Sequence, residues 1–145
     1  AIVSHTGTNK ETAAQKNAGT LEVEYVPQGT LAERIRAYGA GLGGVLTPTG
    51  LGTVIQEGKQ IVNVDGKDYI LEKPLKADIA FLRANIVDED GNMVFLGTTQ
   101  NFNPLMAMAA DYVVVEAEKL VKNGEIAPEQ IHASGIFVDG IYLEK

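Results

Sequence analysis

The sequence predicts an α/β fold, a mostly parallel sheet with helices and an added antiparallel hairpin or two, and three observations carry that prediction. Segments of helical composition alternate with short β-branched runs, the order expected of a sheet crossed by helices. Two glycine-containing turn signals, Asp65-Gly66-Lys67 and Asp88 to Asn92, each join a pair of alternating apolar runs. The run DYVVVEAE, rich in β-branched residues, suits a strand buried on both faces.

The elements follow in chain order. AIVSH reads as the end of a strand already under way, and a chain opening at Ala1 rather than Met is expected to be truncated or processed. KETAAQKNAG, residues 10–19, has helical composition with Gly19 as its stop, and LEVEYV then alternates with period two. Thr30 and Glu33 are spaced as a capping box, which predicts a helix beginning at Leu31. The stretch from Tyr38 to Thr53 holds six glycines and a proline and is expected to be a long ordered loop. IVNV and DYIL flank the first hairpin turn; ADIAFLRANIV and NMVFLG flank the second. Asn103 before Pro104 predicts an N-cap and a preset first helical residue, with LMAMAA continuing as a short apolar helix. IFVDGIYL closes the chain as a strand with a glycine break.

At 145 residues the chain is expected to form one domain. A composition of 45% hydrophobic and 21% charged residues is that of a soluble globular protein, with no apolar run long enough to span a membrane. A net charge of -7 without a basic cluster argues against nucleic acid or an anionic membrane as partner, since both need a positive footprint. The absence of cysteine removes disulfides, thiolate metal sites and a cysteine nucleophile, and is compatible with a reducing cytoplasm.

Most patterns that could carry chemistry have a plainer account. GAGLGG, Gly39 to Gly44, satisfies the glycine spacing of a dinucleotide fingerprint, but a predicted helix precedes it and Pro48 follows, whereas the fingerprint needs a strand before and a helix after. Two serines, Ser4 and Ser134, and two histidines, His5 and His132, show no nucleophile-elbow pattern and no metal-ligand spacing. The acidic residues Glu22, Glu24, Asp88 to Asp90, Glu116 and Glu118 fit solvated faces and turns. Gln28 is different. It falls at the carboxyl end of a predicted strand and ahead of a helix, where α/β folds place ligands, and its amide offers donors without charge beside the positive end of a helix. That suits a carboxylate, and position alone equally fits a glutamine that merely caps a surface turn.

Four stretches together resemble one family: LEVEYVPQGTLAERIRAYGAG, GGVLTPTGLGT, ADIAFLRANIVDEDGNMVFLGTTQNFNP and MAMAADYVVVEAEKLV. They are similar, in collinear order over nearly the whole chain, to the alpha subunit of the family I CoA-transferases, and most to the acetate or butyrate:acetoacetate type. The resemblance implies a Rossmann-like CoA-transferase fold lacking roughly its N-terminal third, and a cytoplasmic enzyme that moves coenzyme A between short-chain acyl-CoA and acetoacetate or another short carboxylate. It implies no cofactor, because coenzyme A is itself a substrate, and no metal. In the family a glutamate in a Ser-Glu-Asn-Gly motif forms the covalent glutamyl-CoA intermediate. That tetrapeptide is absent from this sequence and belongs to the family's beta subunit, so the resemblance implies a CoA-transferase partner carrying the nucleophile, an inactive chain without it, and no catalytic residue here. The glutamine of the family's PQGT contacts the acid and falls on Gln28, with Gly29 beside it; the glycine-rich segment at Gly43 and Gly44 is expected to shape the cleft. Asn101 and Asn103 are further pocket candidates. A binding or regulatory protein of the same fold, sensing a small anion or CoA ester without turnover, is the competing class.

Overall fold

A computed structural model describes residues 1–144, which divide into two compact units: one of residues 1–34 and 43–74, the other of residues 35–42 and 75 onward. The first begins with β1 (Ile2–Val3), α1 (Lys10–Asn17) and β2 (Glu24–Tyr25), the two strands pairing in parallel with Val3 opposite Tyr25. Helix α1 buries no residue, so its ends rather than its packing define it. Asn9 accepts from the Thr12 amide at 3.0 Å. Gly19, at φ +70°, closes the other end: its amide bonds to the Lys16 carbonyl and that of Thr20 to Gln15, the paired bonds of a left-handed helix stop. The glycine expected to end this helix does so.

After β2 the chain passes through buried Val26 and Pro27 into α2 (Gln28–Gly39). The helix starts earlier than the capping box implied. The Pro27 carbonyl accepts the first helical bond, from Leu31 at 2.9 Å, which puts Gln28 and Gly29 in the first turn and Thr30 in the third position. Thr30 is 5% exposed, a buried helical residue rather than an N-cap. Arg34 anchors the helix within this unit, its Nη1 2.7 Å from Glu24 and its Nε donating to the Lys73 carbonyl.

The glycine-rich stretch is not wholly loop. It contains β3 (Val45–Thr47), which joins β4 (Ile61–Val64) and β5 (Lys67–Glu72) in an antiparallel sheet of order β3-β5-β4. The β-branched Val45 and Thr47 take up the free edge of β5, and Gly44 allows the approach: a Cβ there would lie 2.8 Å from the Glu72 carbonyl oxygen. The expected hairpin between β4 and β5 is present. Asp65 and Gly66 both have positive φ, 51° and 79°, the twist that a two-residue turn between right-twisted strands requires, and Asn63 accepts from the Gly66 amide at 3.0 Å.

The second unit is built on β6 (Ala77–Asp88), β7 (Met93–Val94), β8 (Ala110–Val121) and β9 (Gly140–Leu143), in the order β7-β6-β8-β9. Strands β6, β8 and β9 run parallel and β7 antiparallel, so the mostly parallel sheet with an antiparallel part is as the sequence predicts. Ala80, Leu82, Ala84, Val113, Val115 and Ala117 face a core with Met93 and Phe95. Strand β8 is not buried on both faces, however. Its alternate position Tyr112 and the register neighbours Ile79 and Phe81 on β6 are exposed, Phe81 to 74%, because the residues that close the core pack on the opposite face. The short helix α3 (Asn103–Met106) has Phe102, not Asn103, in the cap position. Asn103 instead braces it, accepting from the Arg83 amide at 3.1 Å and donating to the Thr99 carbonyl at 2.9 Å. Among the described residues no helix is long and apolar enough to cross a membrane.

Candidate binding site at the start of helix α2

Parallel strands β1 and β2 end side by side, and the residues that follow them meet. The Val26 amide donates to the Val3 carbonyl at 2.9 Å, extending the pairing by one step. Ser4 comes next on one side, Pro27 and Gln28 on the other, and the Ser4 hydroxyl donates to Oε1 of Gln28. The Gln28 side chain is exposed, but it is held by this bond rather than trailing freely. With its carbonyl end occupied, the amide nitrogen is the end left to donate.

Beside it lies a hollow of about 460 Å³ whose lining includes Pro27, Gly29, Thr30 and Glu33 on one side and Val45 to Thr47 with Thr49 on the other. The first N–H groups of α2 have no helical acceptor and carry the positive end of the helix dipole, which draws negative charge to this edge of the hollow, while the Glu33 carboxylate in the same lining opposes it. Gln28 stands at the rim and does not itself line the hollow. Gly29 does line it, and a Cβ added there would meet nothing within 4 Å; the same is true of Gly43, just before β3. Among the described residues no packing explains why these two positions are glycine. Gly44 is different, since its close approach to β5 accounts for it. Of the residues predicted to form the site, Gln28 and Gly29 are therefore adjacent to one hollow, while Gly43 and Gly44 lead into the strand that forms its other wall.

The opposite side of that wall is held by charge. Glu72, opposite Val45 in the β3–β5 register, is 2% exposed and lies 2.6 Å from Lys59 Nζ. Near the strand ends, the Thr6 hydroxyl is 2.9 Å from the Tyr25 phenol and the Lys16 ammonium lies 4.9 Å from the Tyr25 ring centre. The Thr6 hydrogen bond is the largest influence on that phenol and lowers its pKa from the ordinary 10.0, against a smaller upward push from burial and with help from Lys16. The histidines do not converge on the hollow: His132, in the other unit, accepts from the Phe95 amide at 3.0 Å, the role of a core-bracing residue. Nor does the glycine run resemble a nucleotide loop, since it is followed by β3 and not by a helix.

The profile of the Coenzyme A transferase family matches residues 1–144. The chain belongs to the coenzyme A transferase family. It is 50% identical over 144 residues to an acetate CoA-transferase subunit alpha of Escherichia coli, a match covering 99% of this chain and 66% of that protein. It is 51% identical over 143 residues to an acetoacetyl-CoA:acetate/butyrate CoA transferase alpha subunit of Clostridium acetobutylicum, again covering 66% of it. This coenzyme A transferase chain thus spans 66% of the length of these two relatives. Its fold matches that of an acyl-CoA transferase apoenzyme from Escherichia coli O157:H7, at a TM-score of 0.88 and 23% identity, over 99% of this chain and 32% of that one.

The sequence singles out Gln28 but does not place Ser4 beside it, a serine weighed there only as a nucleophile. The available signal was topological: a residue ending one strand of a strand–helix–strand unit lies beside the residue ending the next when the strands pair in parallel.

Proposed function

We propose that this chain is part of the alpha subunit of a CoA-transferase that moves coenzyme A between a short-chain acyl-CoA and acetoacetate or another short carboxylate. The nucleophile is a glutamate on the beta subunit. Its carboxylate adds to the thioester carbonyl, expelling the CoA thiolate to leave an acyl-glutamyl anhydride; the thiolate then adds to the glutamyl carbonyl and releases the first acid. The second acid runs these steps in reverse, so no bond is oxidised or reduced and no cofactor is consumed. Each addition passes through an oxyanion, and each acid arrives and leaves as a carboxylate, so the chemistry asks for fixed neutral donors in a dry cleft.

The contribution of this chain is one wall of that cleft. Gln28 Nε2 and the first amides of α2 receive the carboxylate, and the openness of Gly29 and Gly43 leaves room for substrate or for the beta subunit. The observation that carries the reading is Gln28, its Oε1 engaged by Ser4 and its Nε2 left to donate, at the carboxyl end of a parallel strand pair; the half-identity to alpha subunits over nearly the whole chain supports it. A cytoplasmic location suits the same reading, since free coenzyme A thiols persist in a reducing compartment.

The test is to co-express the full-length polypeptide that carries this chain with a partner polypeptide containing Ser-Glu-Asn-Gly and to follow acetoacetate-dependent exchange of coenzyme A. Gln28→Ala should lower kcat/KM for the acid by about 5- to 150-fold, equivalent to about 1–3 kcal/mol of lost hydrogen bonding to a charged group. Unchanged kinetics would remove Gln28 from the site, and no exchange by the wild-type pair would remove the transferase reading.

A further inference from the structure

We propose that Ser4 is a positioning residue for this reaction: its hydroxyl holds the Gln28 amide in the one orientation that presents a donor to the substrate. The inference rests on the reading of Gln28 above and adds a residue to it.

A glutamine amide is nearly symmetric in shape and opposite in polarity at its two ends. Turned one way it donates to an anion; turned the other it puts a partial negative charge against the same anion. At an exposed site, with water on every side, both orientations are sampled unless something selects between them. Ser4 supplies that selection. Its hydroxyl donates to Oε1 of Gln28, and when an anion sits at Nε2 the result is a continuous chain, hydroxyl to carbonyl and amide nitrogen to anion. Each bond in such a chain polarises the next in the same sense, so the amide nitrogen becomes a better donor than a lone glutamine would offer.

The backbone around Ser4 is built to keep it there. Ser4 directly follows β1, and the parallel pairing of β1 with β2, extended by the bond from the Val26 amide to the Val3 carbonyl, fixes the separation of the two chains where they leave the strands. A little further on, the hydroxyl of Thr6 ties back to the Tyr25 phenol at 2.9 Å, so the loop leaving β1 is held to β2 on both sides of His5. Ser4 is thus carried by a strand end and Gln28 by a helix start, two segments that position a contact well.

The experiment is a double-mutant cycle in the assembled enzyme, with Ser4→Ala, Gln28→Ala and the pair, and with Ser4→Thr as the conservative variant. Ser4→Ala should lower kcat/KM for the acid about tenfold, have no further effect in the Gln28→Ala background, and shift the melting temperature by less than about 1 °C. Ser4→Thr, which keeps the hydroxyl, should restore activity to within about twofold. A large loss with Gln28→Ala but none with Ser4→Ala would overturn the positioning role and leave the reading of Gln28 intact; silence from Gln28→Ala would sink that reading first. Equal losses from Ser4→Ala with and without Gln28 would show Ser4 acting through another group, and would overturn the inference. Should Ser4→Ala fail to assemble, the side-chain amide resonances of Gln28 in the Ser4→Thr and Ser4→Cys chains decide the matter: threonine should leave them in place and the weaker thiol donor should move them, and identical spectra would overturn the role.

Discussion

Lys59→Met is the sharpest test of what holds the wall of the hollow in place. The Lys59 ammonium lies 2.6 Å from Glu72, whose side chain is 2% exposed, whereas that of Lys59 is 23% exposed. At an effective dielectric of about 20 the attraction between unit charges at that separation is about 6 kcal/mol, and withdrawing a carboxylate from water costs several kcal/mol in return. The intact pair is therefore close to break-even. Removing Lys59 alone is another matter, because Glu72 stays buried without its counter-charge, a loss of about 3–5 kcal/mol when both partners are fully enclosed. Water reaches the partly exposed Lys59 position and replaces some of that, so we expect a loss of about 2–3 kcal/mol. For a chain of this size the melting temperature should fall by about 4–12 °C. Thermal and urea unfolding followed by circular dichroism will measure it, alongside Lys59→Met combined with Glu72→Met. The double variant should recover most of the loss, since it removes the stranded charge with its partner. A loss under about 0.5 kcal/mol for Lys59→Met, or a double variant no better than the single, would refute the argument.

Two further outcomes are expected. In the alkaline range, Tyr25 should titrate below the ordinary 10.0, as the ultraviolet difference between wild type and Tyr25→Phe will show; because its folded pKa is lowered, the stabilisation it brings is complete above pH 10 and lost as pH falls through the folded value. Thr6→Val should raise that pKa back towards 10.0 and abolish the alkaline gain, while an unmoved titration would mean that Thr6 is not its cause. Gly29→Ala should stabilise α2 by up to about 1 kcal/mol, since nothing crowds the new methyl, yet slow transfer in the assembled enzyme by projecting it toward the hollow; a variant both more stable and fully active would dissociate Gly29 from the site.

How far the sequence could be read depended on the range of the interaction that decided each element. Local chemistry was legible. Gly19 needs only its own left-handed backbone to end α1, and Asp65-Gly66 only the twist of the strands it joins, so both stand where the pattern puts them. Where a distant partner decides, the pattern misled. Thr30 and Glu33 have the spacing of a capping box, but the Pro27 carbonyl starts the helix and burial claims Thr30. Asn103 precedes a proline as a cap would, yet its amide is spent on Arg83 and Thr99, twenty and four residues away. The glycine-rich segment hides β3 because the free edge of β5, which recruits it, lies far along the chain. The same division holds beside the hollow: the place of Gln28 between strand and helix is legible in the pattern, while its contact with Ser4 becomes visible only once β1 and β2 are known to run parallel.

The bare surface of α1 has a practical corollary. A helix with no buried residue, secured at its two tips by Asn9 and Gly19, can have its exposed residues other than Lys16 rewritten. An affinity handle, a fluorophore or a patch of altered charge could be installed there, a short distance along the chain from Ser4 and Gln28, while the strands that set those two residues in register stay as they are.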